Sequence, residues 1–234
     1  MIFMVEENKE EKTIVIKKKL LIAIVLVIIG LLVMFFVFFN PTGKAEYISS
    51  DSPILGNLNA TMSVVEFSDY ECPFCQASEG TNQEVIASLK QNDPKWEAAV
   101  PKIIEEYVNT GKVKLVFRQY PVHGNNNPAL ASKCAQEQDK FWEYHKILFE
   151  NYNALTDNDL KKYAVDLNLN LSQLNQCLDS KEYEDSIQND LNDGQALGIS
   201  GTPTFFIGNE EIGYEKIVGA QSFSAFKEVI DSKL

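Results

Sequence analysis

Residues 64–75, VVEFSDYECPFC, join an apolar segment to two cysteines that are separated by two residues. The apolar part has the composition of a buried strand. Cys72 and Cys75 can cycle between dithiol and disulfide, form a structural disulfide, or supply half of a metal site. A structural zinc site usually needs a second close ligand pair. The sequence has no such pair, and His123 and His145 lie far apart in the sequence, so we predict a redox pair without a metal.

An apolar run without charged side chains, residues 20–39, precedes this stretch. As a helix rising about 1.5 Å per residue, a run of this length spans roughly 30 Å, the thickness of a bilayer core. Lys17 to Lys19 come directly before it, so the positive-inside rule places residues 1–19 in the cytoplasm. The run ends in bulky phenylalanines, which favours an uncleaved signal anchor over a cleaved signal peptide. We therefore predict a single-pass protein of the cell membrane with an exocytoplasmic domain.

The remainder of the chain is acidic. Residues 1–44 hold six lysines and four glutamates, so 21 − 6 = 15 basic and 33 − 4 = 29 acidic residues remain, a net charge of −14. A domain with this charge repels nucleic acid and anionic lipid, and we exclude both as ligands. All four cysteines lie in this part, in a setting that permits disulfides. Once Cys72 and Cys75 are paired, Cys134 and Cys177 remain.

Hydrophobic periodicity predicts the element order of the outer part. Residues 40–60 have the composition of a linker, and the order beyond them is β, α, β, a block of helices, β, β, α. The predicted strands are residues 61–67, 112–120, 204–207 and 215–218, and the later helices are residues 129–152, 157–167, 172–179, 181–197 and 222–233. This order is typical of an α/β fold with helices on a small mixed sheet. We predict one domain at residues 61–234, with a helical insertion at about residues 125–197.

Three segments together resemble the DsbA-like branch of the thioredoxin superfamily. They are SDYECPFC after an apolar strand, KCAQEQDKFWEYHKILFE, and GTPTFFIGN near the end. The resemblance covers about residues 54–234 and implies a thioredoxin-like fold, a thiol–disulfide oxidoreductase, and no metal or organic cofactor. The sequence departs from the family between Cys75 and Pro101, where it has additional residues. We therefore expect an active-site helix that is extended, or interrupted near residues 92–94.

The resemblance assigns roles around the cysteine pair. At the start of its helix, Cys72 would be the nucleophile, because unpaired backbone N–H groups and the helix dipole stabilise a thiolate. Cys75, one turn further, would be the resolving thiol. The resemblance implies a cis peptide bond at Thr202-Pro203, facing the cysteines, whose backbone edge could pair with an extended client. Phe74, between the cysteines, is a candidate client contact.

Two further assignments come from the resemblance. Glu66 lies on the incoming strand, six residues before Cys72. The resemblance favours a partly buried carboxylate with a raised pKa that takes a proton from Cys75, whereas a solvated strand face is the alternative. For Cys134 and Cys177, it supports a structural disulfide, with two buried free thiols as the alternative.

We predict that the enzyme forms or exchanges disulfides in secreted or surface client proteins. For an oxidase, the resemblance implies a quinone-linked membrane partner that reoxidises it. A disulfide reductase or isomerase is one alternative, and a non-catalytic thioredoxin-fold binding module is another. Pro73 and Phe74 place no histidine between the cysteines, and the carboxylate of Glu71 opposes a thiolate on Cys72. We therefore expect a milder oxidant than a Cys-Pro-His-Cys site.

Overall fold

The structure, a computed structural model, describes residues 21, 24–31, 34 and 45–234. It divides into two units, residues 1–44 and 45–234. In the first unit, residues 24–31 are helical and exposed. Among the described residues, no helix combines the length and the apolar character needed to cross a membrane. The predicted cytoplasmic tail and much of the predicted span at residues 20–39 lie outside the described residues, so the anchor stays a prediction.

A five-stranded mixed sheet forms the centre of the second unit. Its strands are β1 (Ile54–Leu55), β2 (Met62–Ser68), β3 (Val113–Gln119), β4 (Thr204–Asn209) and β5 (Gly213–Val218). They lie in the order β1-β3-β2-β4-β5. β2 and β3 are parallel, and the other neighbouring pairs are antiparallel. The predicted α/β class is confirmed, and β2 is the central strand from which the cysteine pair continues.

Nine helices surround this sheet in residues 45–234. They are α1 (Pro73–Ser78), α2 (Gln83–Asn92), α3 (Ala99–Ile103, continued as a π-helix over Ile104–Val108), α4 (Asn127–Gln136), α5 (Phe141–Glu150), α6 (Asp157–Asp166), α7 (Leu171–Ser180), α8 (Glu184–Ala196) and α9 (Phe223–Lys233). α4 to α8 form the predicted helical insertion between β3 and β4.

All seven residues of β2 are buried, because both faces of this central strand are covered, although Ser63, Glu66 and Ser68 are polar. Val64 packs on one face with residues of α3 and α9. Val65 and Phe67 pack on the opposite face with Tyr120 and Phe206. Since side chains alternate along a strand, Glu66 lies on the same face as Val64 and is held inside the domain.

The helix predicted at residues 129–152 is two helices, α4 and α5, and the prediction of one continuous helix is wrong. Asp139 between them has a positive φ of 56°, which a helix interior does not allow. The N–H of Lys140 returns to the carbonyl of Ala135 and closes the turn. The apolar spacing continues across the break because both helices contribute to one core.

The chain between Cys75 and Pro101 also differs in detail from the prediction. The active-site helix is interrupted earlier than residues 92–94, at Gly80, whose φ is +80°. α1 ends before this glycine and α2 begins after it, so the additional residues form a separate helix that ends at Asn92. A left-handed conformation is accessible to glycine at little cost, which explains the position of the break.

Residues 45–60, most of the predicted linker, belong to the domain. Ile54 and Leu55 pair with β3. The ring of Tyr47 stacks on Tyr214 at 3.9 Å between centroids. The buried Arg118 guanidinium donates hydrogen bonds to the carbonyl oxygens of Glu46 and Tyr47. These contacts join segments far apart in sequence, which is why a compositional reading assigned residues 45–60 to a linker.

Candidate functional site

Cys72 and Cys75 lie at the beginning of α1, at the end of the connection from β2. Cys72 is extended, with φ −76° and ψ 119°, and it precedes Pro73, the first helical residue. Proline is well suited to this position because its φ is preset and its missing N–H would have no helical partner. Both cysteines are free thiols, with 5% of Cys72 and 0% of Cys75 exposed. One thiol therefore lies just below the surface and the other is fully enclosed.

The surroundings of Cys72 favour its thiolate. A hydrogen bond from the Cys75 side chain is the largest influence, and with others it lowers the pKa of Cys72 to about 6 against the opposing effect of burial. The backbone N–H groups of Cys75 and Phe74 contribute further hydrogen bonds, and the Thr202 side chain also favours the thiolate. The Thr202 hydroxyl is buried and has no hydrogen-bond partner among the described residues, so it is free to turn toward this sulfur. These donors stabilise negative charge on the outer sulfur.

Cys75 has the opposite environment. Burial raises the pKa of Cys75 well above its ordinary value, and the hydrogen bond that it gives to Cys72 raises it further. Two thiols one helical turn apart therefore differ in acidity because one faces donors near the surface and the other is desolvated. The arrangement suits an outer nucleophile and an inner thiol that retains its proton.

Thr202 and Pro203 form the opposite side of this site, 130 residues along the chain. The Cys72 sulfur lies 3.3 Å from the carbonyl oxygen of Thr202. The peptide bond between Thr202 and Pro203 is cis. Pro203 is anchored because its carbonyl accepts a hydrogen bond from the N–H of Gly219 at 2.8 Å. The structure thus brings together the two segments that the sequence singled out.

Glu66 is completely buried, and the alternative of a solvated strand face is wrong. Burial and the nearby charge of Glu79 raise the pKa of Glu66 to about 8. Neither carboxyl oxygen of Glu66 has a hydrogen-bond partner within the described part of the chain. A buried, unpartnered carboxyl is costly when ionised, so at neutral pH this group holds a proton.

Glu79, His145 and Tyr70 extend the site inward and were not predicted. Glu79 Oε1 lies 3.3 Å from Nε2 of His145, and the Tyr70 hydroxyl lies 3.2 Å from Nδ1. Burial raises the pKa of Glu79 to about 8 and lowers that of His145 to about 4. The apolar pattern of α5 conceals His145 as an ordinary core position. Its partner Glu79 is 66 residues away, so no local spacing identifies the pair.

His123, which has no predicted role, lies in the loop after β3 close to the cysteine pair. Its Nδ1 lies 2.7 Å from Oδ2 of Asp69, and this contact raises the pKa of His123. The same buried carboxylate accepts backbone hydrogen bonds from Val122, His123 and Glu71. Asp69 therefore connects this loop to the residues that lead into Cys72.

Phe74 is half exposed on the outside of α1, as a client contact would require. Its neighbour Glu71 accepts a hydrogen bond from the amide of Asn125 at 3.1 Å. Glu71 and Asn125 also line one side of an open cleft of about 690 Å³. A polar cleft thus begins at Glu71, the residue directly before Cys72.

Comparison with known proteins identifies the family. A family model described as Thioredoxin matches residues 94–232, more than half of the chain. The chain belongs to the thioredoxin family. The match begins after Cys75, so the redox pair rests on the sequence and on the geometry described above.

Relatives of this thioredoxin-family chain carry related names. Disulfide bond formation protein D of Bacillus subtilis is 27% identical over 194 residues, which cover 78% of this chain and 77% of the relative. Probable disulfide bond formation protein D of Bacillus anthracis is 25% identical, with 82% of each chain covered. Na(+)/H(+) antiporter NhaA 3 of Salinispora tropica is 30% identical over 66% of this chain. That similarity spans only 21% of the antiporter's length.

Solved structures show the same fold. Wolbachia pipientis alpha-DsbA1 has a TM-score of 0.63 and 26% identity, covering 79% of this chain and 92% of that one. Oxidised BdbD from Bacillus subtilis has a TM-score of 0.62 and 25% identity, covering 81% and 95%. The DsbA-like resemblance is confirmed, and the protein is a thiol–disulfide oxidoreductase of the thioredoxin family.

The second pair of cysteines forms a disulfide bond. Cys134 and Cys177 are joined with an S–S length of 2.03 Å and a Cα–Cα distance of 5.9 Å, linking α4 to α7. Both are buried in the core that also contains Cys72 and Cys75. Cys177 lies near the carboxylates of Glu137 and Glu182, but its sulfur is in the disulfide and has no thiolate to offer a metal.

Proposed function

We propose that this protein forms disulfide bonds in client proteins outside the cytoplasm. The observation that carries the proposal is the unequal cysteine pair, in which hydrogen bonds lower the pKa of Cys72 to about 6 while Cys75 is enclosed. A stabilised thiolate stabilises the reduced form of the pair, and this makes the corresponding disulfide a better oxidant. The names of the Bacillus relatives support the same direction.

In the proposed reaction, a client thiolate attacks the Cys72 sulfur of the Cys72–Cys75 disulfide. The S–S bond breaks, and Cys75 leaves with the electron pair and takes a proton from Glu66. A mixed disulfide now joins the client to Cys72. A second client thiolate attacks the client sulfur, and Cys72 leaves as a thiolate, which its lowered pKa makes a good leaving group. The client loses two electrons and the cysteine pair gains them.

Client binding is proposed to use both walls of the site. A proline at position 203 has no N–H, and the backbone of Thr202 beside it can pair with an extended client segment as an added strand. Phe74 is exposed next to the thiol and offers apolar contact. The reverse reaction, with Cys75 resolving the mixed disulfide, uses the same residues and would make the protein a reductase.

The proposed location follows from the sequence ahead of the domain. Lys17 to Lys19 and the apolar run at residues 20–39 support a single-pass anchor in the cell membrane, with the domain on the exocytoplasmic side. Such a location permits disulfides to persist. Continuous oxidation of clients requires that the reduced pair be reoxidised, and we propose a quinone-linked membrane protein for this step.

Refolding of reduced, unfolded ribonuclease by the full-length chain tests the proposal. We expect active ribonuclease to form with the wild type and not with Cys72→Ser. Given a client that already carries a disulfide, Cys75→Ser should accumulate a mixed disulfide, because the Cys72 thiolate attacks the client disulfide and no inner thiol is present to resolve the product. The reduction potential decides the direction: we expect a value between about −120 mV, as in DsbA, and about −270 mV, as in thioredoxin. A potential at or below the thioredoxin value would contradict an oxidase.

A further inference from the structure

One buried carboxylate ties the loop after β3 to the turn that leads into Cys72. Asp69 is 3% exposed, and its side chain accepts backbone hydrogen bonds from Glu71 at 2.9 Å, Val122 at 2.9 Å and His123 at 3.2 Å. Its carbonyl oxygen accepts a further hydrogen bond, from the N–H of Cys72 at 3.1 Å. Asp69 therefore holds the backbone of the outer cysteine and the loop in a fixed relation to each other.

The ring of His123 brings a titratable charge to this arrangement. Its Nδ1 lies 2.7 Å from Oδ2 of Asp69, while 46% of the His123 side chain is exposed. A carboxylate can only accept, so Nδ1 carries the hydrogen of this bond and protonation of the ring takes place at Nε2. The ring can therefore gain or lose its positive charge while Nδ1 stays bonded to Asp69. The place of the charge is fixed, and its presence depends on pH.

Three negative groups act on His123, and one of them is the reactive sulfur. The hydrogen bond to Asp69 is the largest influence that raises the pKa of His123, and the charges of Asp69, Cys72 and Glu71 raise it further against the effect of burial. The other side chains of the loop, residues 121–126, are uncharged. Coupling between two sites is reciprocal, so a thiolate that favours the imidazolium is itself favoured by it.

We propose that His123 is a positioning residue for the redox pair: its imidazolium, fixed by Asp69, stabilises the thiolate of Cys72 and so favours the reduced state. The inference rests on the proposed exchange chemistry and adds one residue to it. The two residues between the cysteines, Pro73 and Phe74, carry no charge. The loop after β3 supplies from outside the active-site helix a positive charge that the helix itself does not offer at these positions.

Reduction of the pair is then coupled to protonation of His123. When a client dithiol reduces the Cys72–Cys75 bond, the client loses two electrons and two protons and becomes a disulfide. One proton ends on Cys75, whereas Cys72 stays a thiolate above its pKa of about 6. The second proton passes to solvent, except for the share that His123 takes up because the new negative charge favours its imidazolium. Oxidation of the pair reverses both changes.

The first test needs no variant that might misfold. NMR signals of the imidazole protons report the titration of His123 in the untagged full-length protein, in its oxidised and reduced states. The chain has two histidines, and burial lowers the pKa of His145 to about 4, so the two titrations are well separated. We expect the pKa of His123 to be higher by about 0.5 in the reduced state. Equal values in the two states would overturn the inference.

The second test is the thiolate titration of Cys72 in variants of the loop. His123→Gln removes the charge and should raise the pKa of Cys72 by about 0.5, a change of about threefold in its proton equilibrium. His123→Lys keeps a positive charge and should restore a value near that of the wild type. Val122→Thr alters the exposed neighbour without changing the charge and is the matched control. A His123→Gln titration that overlays the wild type would contradict the proposal.

The equilibrium with glutathione separates an effect of charge from a disturbed loop. Wild type and His123→Gln should differ by up to about threefold between the pKa of Cys72 and that of His123, with the wild type the stronger oxidant. The difference should vanish at higher pH, where the wild-type ring is neutral. A difference that persists at every pH would mean that the substitution only disturbs the loop, and the inference would fail.

The ribonuclease assay keeps this inference distinct from the proposed function. A wild type that forms no disulfides in ribonuclease, yet shows the redox-dependent titration of His123, would overturn the proposed function and leave the coupling between His123 and Cys72 intact. A wild type that oxidises ribonuclease while His123 titrates identically in both states would do the reverse.

Discussion

The sulfur of Cys72 lies 3.3 Å from the carbonyl oxygen of Thr202. The site around this reactive thiol therefore includes a residue 130 positions further along the chain. The contact joins the start of α1 to the segment entering β4, the neighbour of β2 in the sheet. Because β2 leads to Cys72 and β4 follows Thr202, the sheet itself sets the distance between the two halves of the site.

Thr202→Val should raise the pKa of Cys72. Valine keeps the branched shape but removes the hydroxyl, one of the donors that favour the thiolate. We expect a rise of about 0.5–1 pKa unit, which thiolate absorbance at 240 nm measures directly. Thr202→Ser retains a hydroxyl and serves as the control, with a pKa near that of the wild type. Equal values for valine and serine would show that the hydroxyl does not contact the sulfur.

The reduced protein should gain stability relative to the oxidised protein as the pH rises, because only the reduced form has a titrating Cys72 thiol. The pKa of Cys72 is lowered to about 6 in the fold, below its ordinary value of 9.0. A lowered pKa contributes stability that is fully present above the unfolded pKa and is lost as the pH falls through the folded one. The midpoint of thermal unfolding of the reduced form should therefore rise relative to that of the oxidised form as the pH increases from 6 to 9. Parallel curves for the two forms would contradict a lowered pKa.

Glu66→Gln should stabilise the protein and slow exchange. The pKa of Glu66 is raised to about 8, so its contribution to stability is complete below pH 4.5 and is lost as the pH rises through 8. Glutamine does not titrate, and we expect a gain of about 2 kcal/mol in unfolding free energy at pH 8. Thermal unfolding at pH 5 and pH 8 measures this, and the gain should be small at pH 5.

The same variant separates stability from function. If Glu66 carries the proton of Cys75, stopped-flow resolution of the mixed disulfide should be slower in Glu66→Gln although the fold is more stable. A variant that is both more stable and equally fast would show that the buried carboxyl has no part in proton transfer.

Local patterns of the sequence predicted the elements that carry the cysteines. β2 and β3 follow from apolar composition and alternation, and the unequal thiols follow from a helix that begins at Pro73. The contact between Glu79 and His145 could not be predicted, because it joins two helices whose spacing says nothing about their packing. The turn at Asp139 was missed for a related reason, since the apolar pattern continues across it.

Removing the second disulfide should destabilise the domain without changing the redox site. Cys134 and Cys177 are 43 residues apart, and closing a loop of this length is worth about 4 kcal/mol in the chain-entropy model. We expect Cys134→Ala/Cys177→Ala to lose up to about this unfolding free energy in denaturant titration, most of it because the unfolded chain gains freedom.

The redox site supplies the control for this variant. The hydrogen-bonding groups that lower the pKa of Cys72 belong to α1 and Thr202, whereas the second disulfide joins α4 to α7. The thiolate titration of Cys72 in the double variant should therefore overlay that of the wild type. A shifted titration would show that the helical insertion positions the active-site helix, and that the disulfide acts on chemistry as well as on stability.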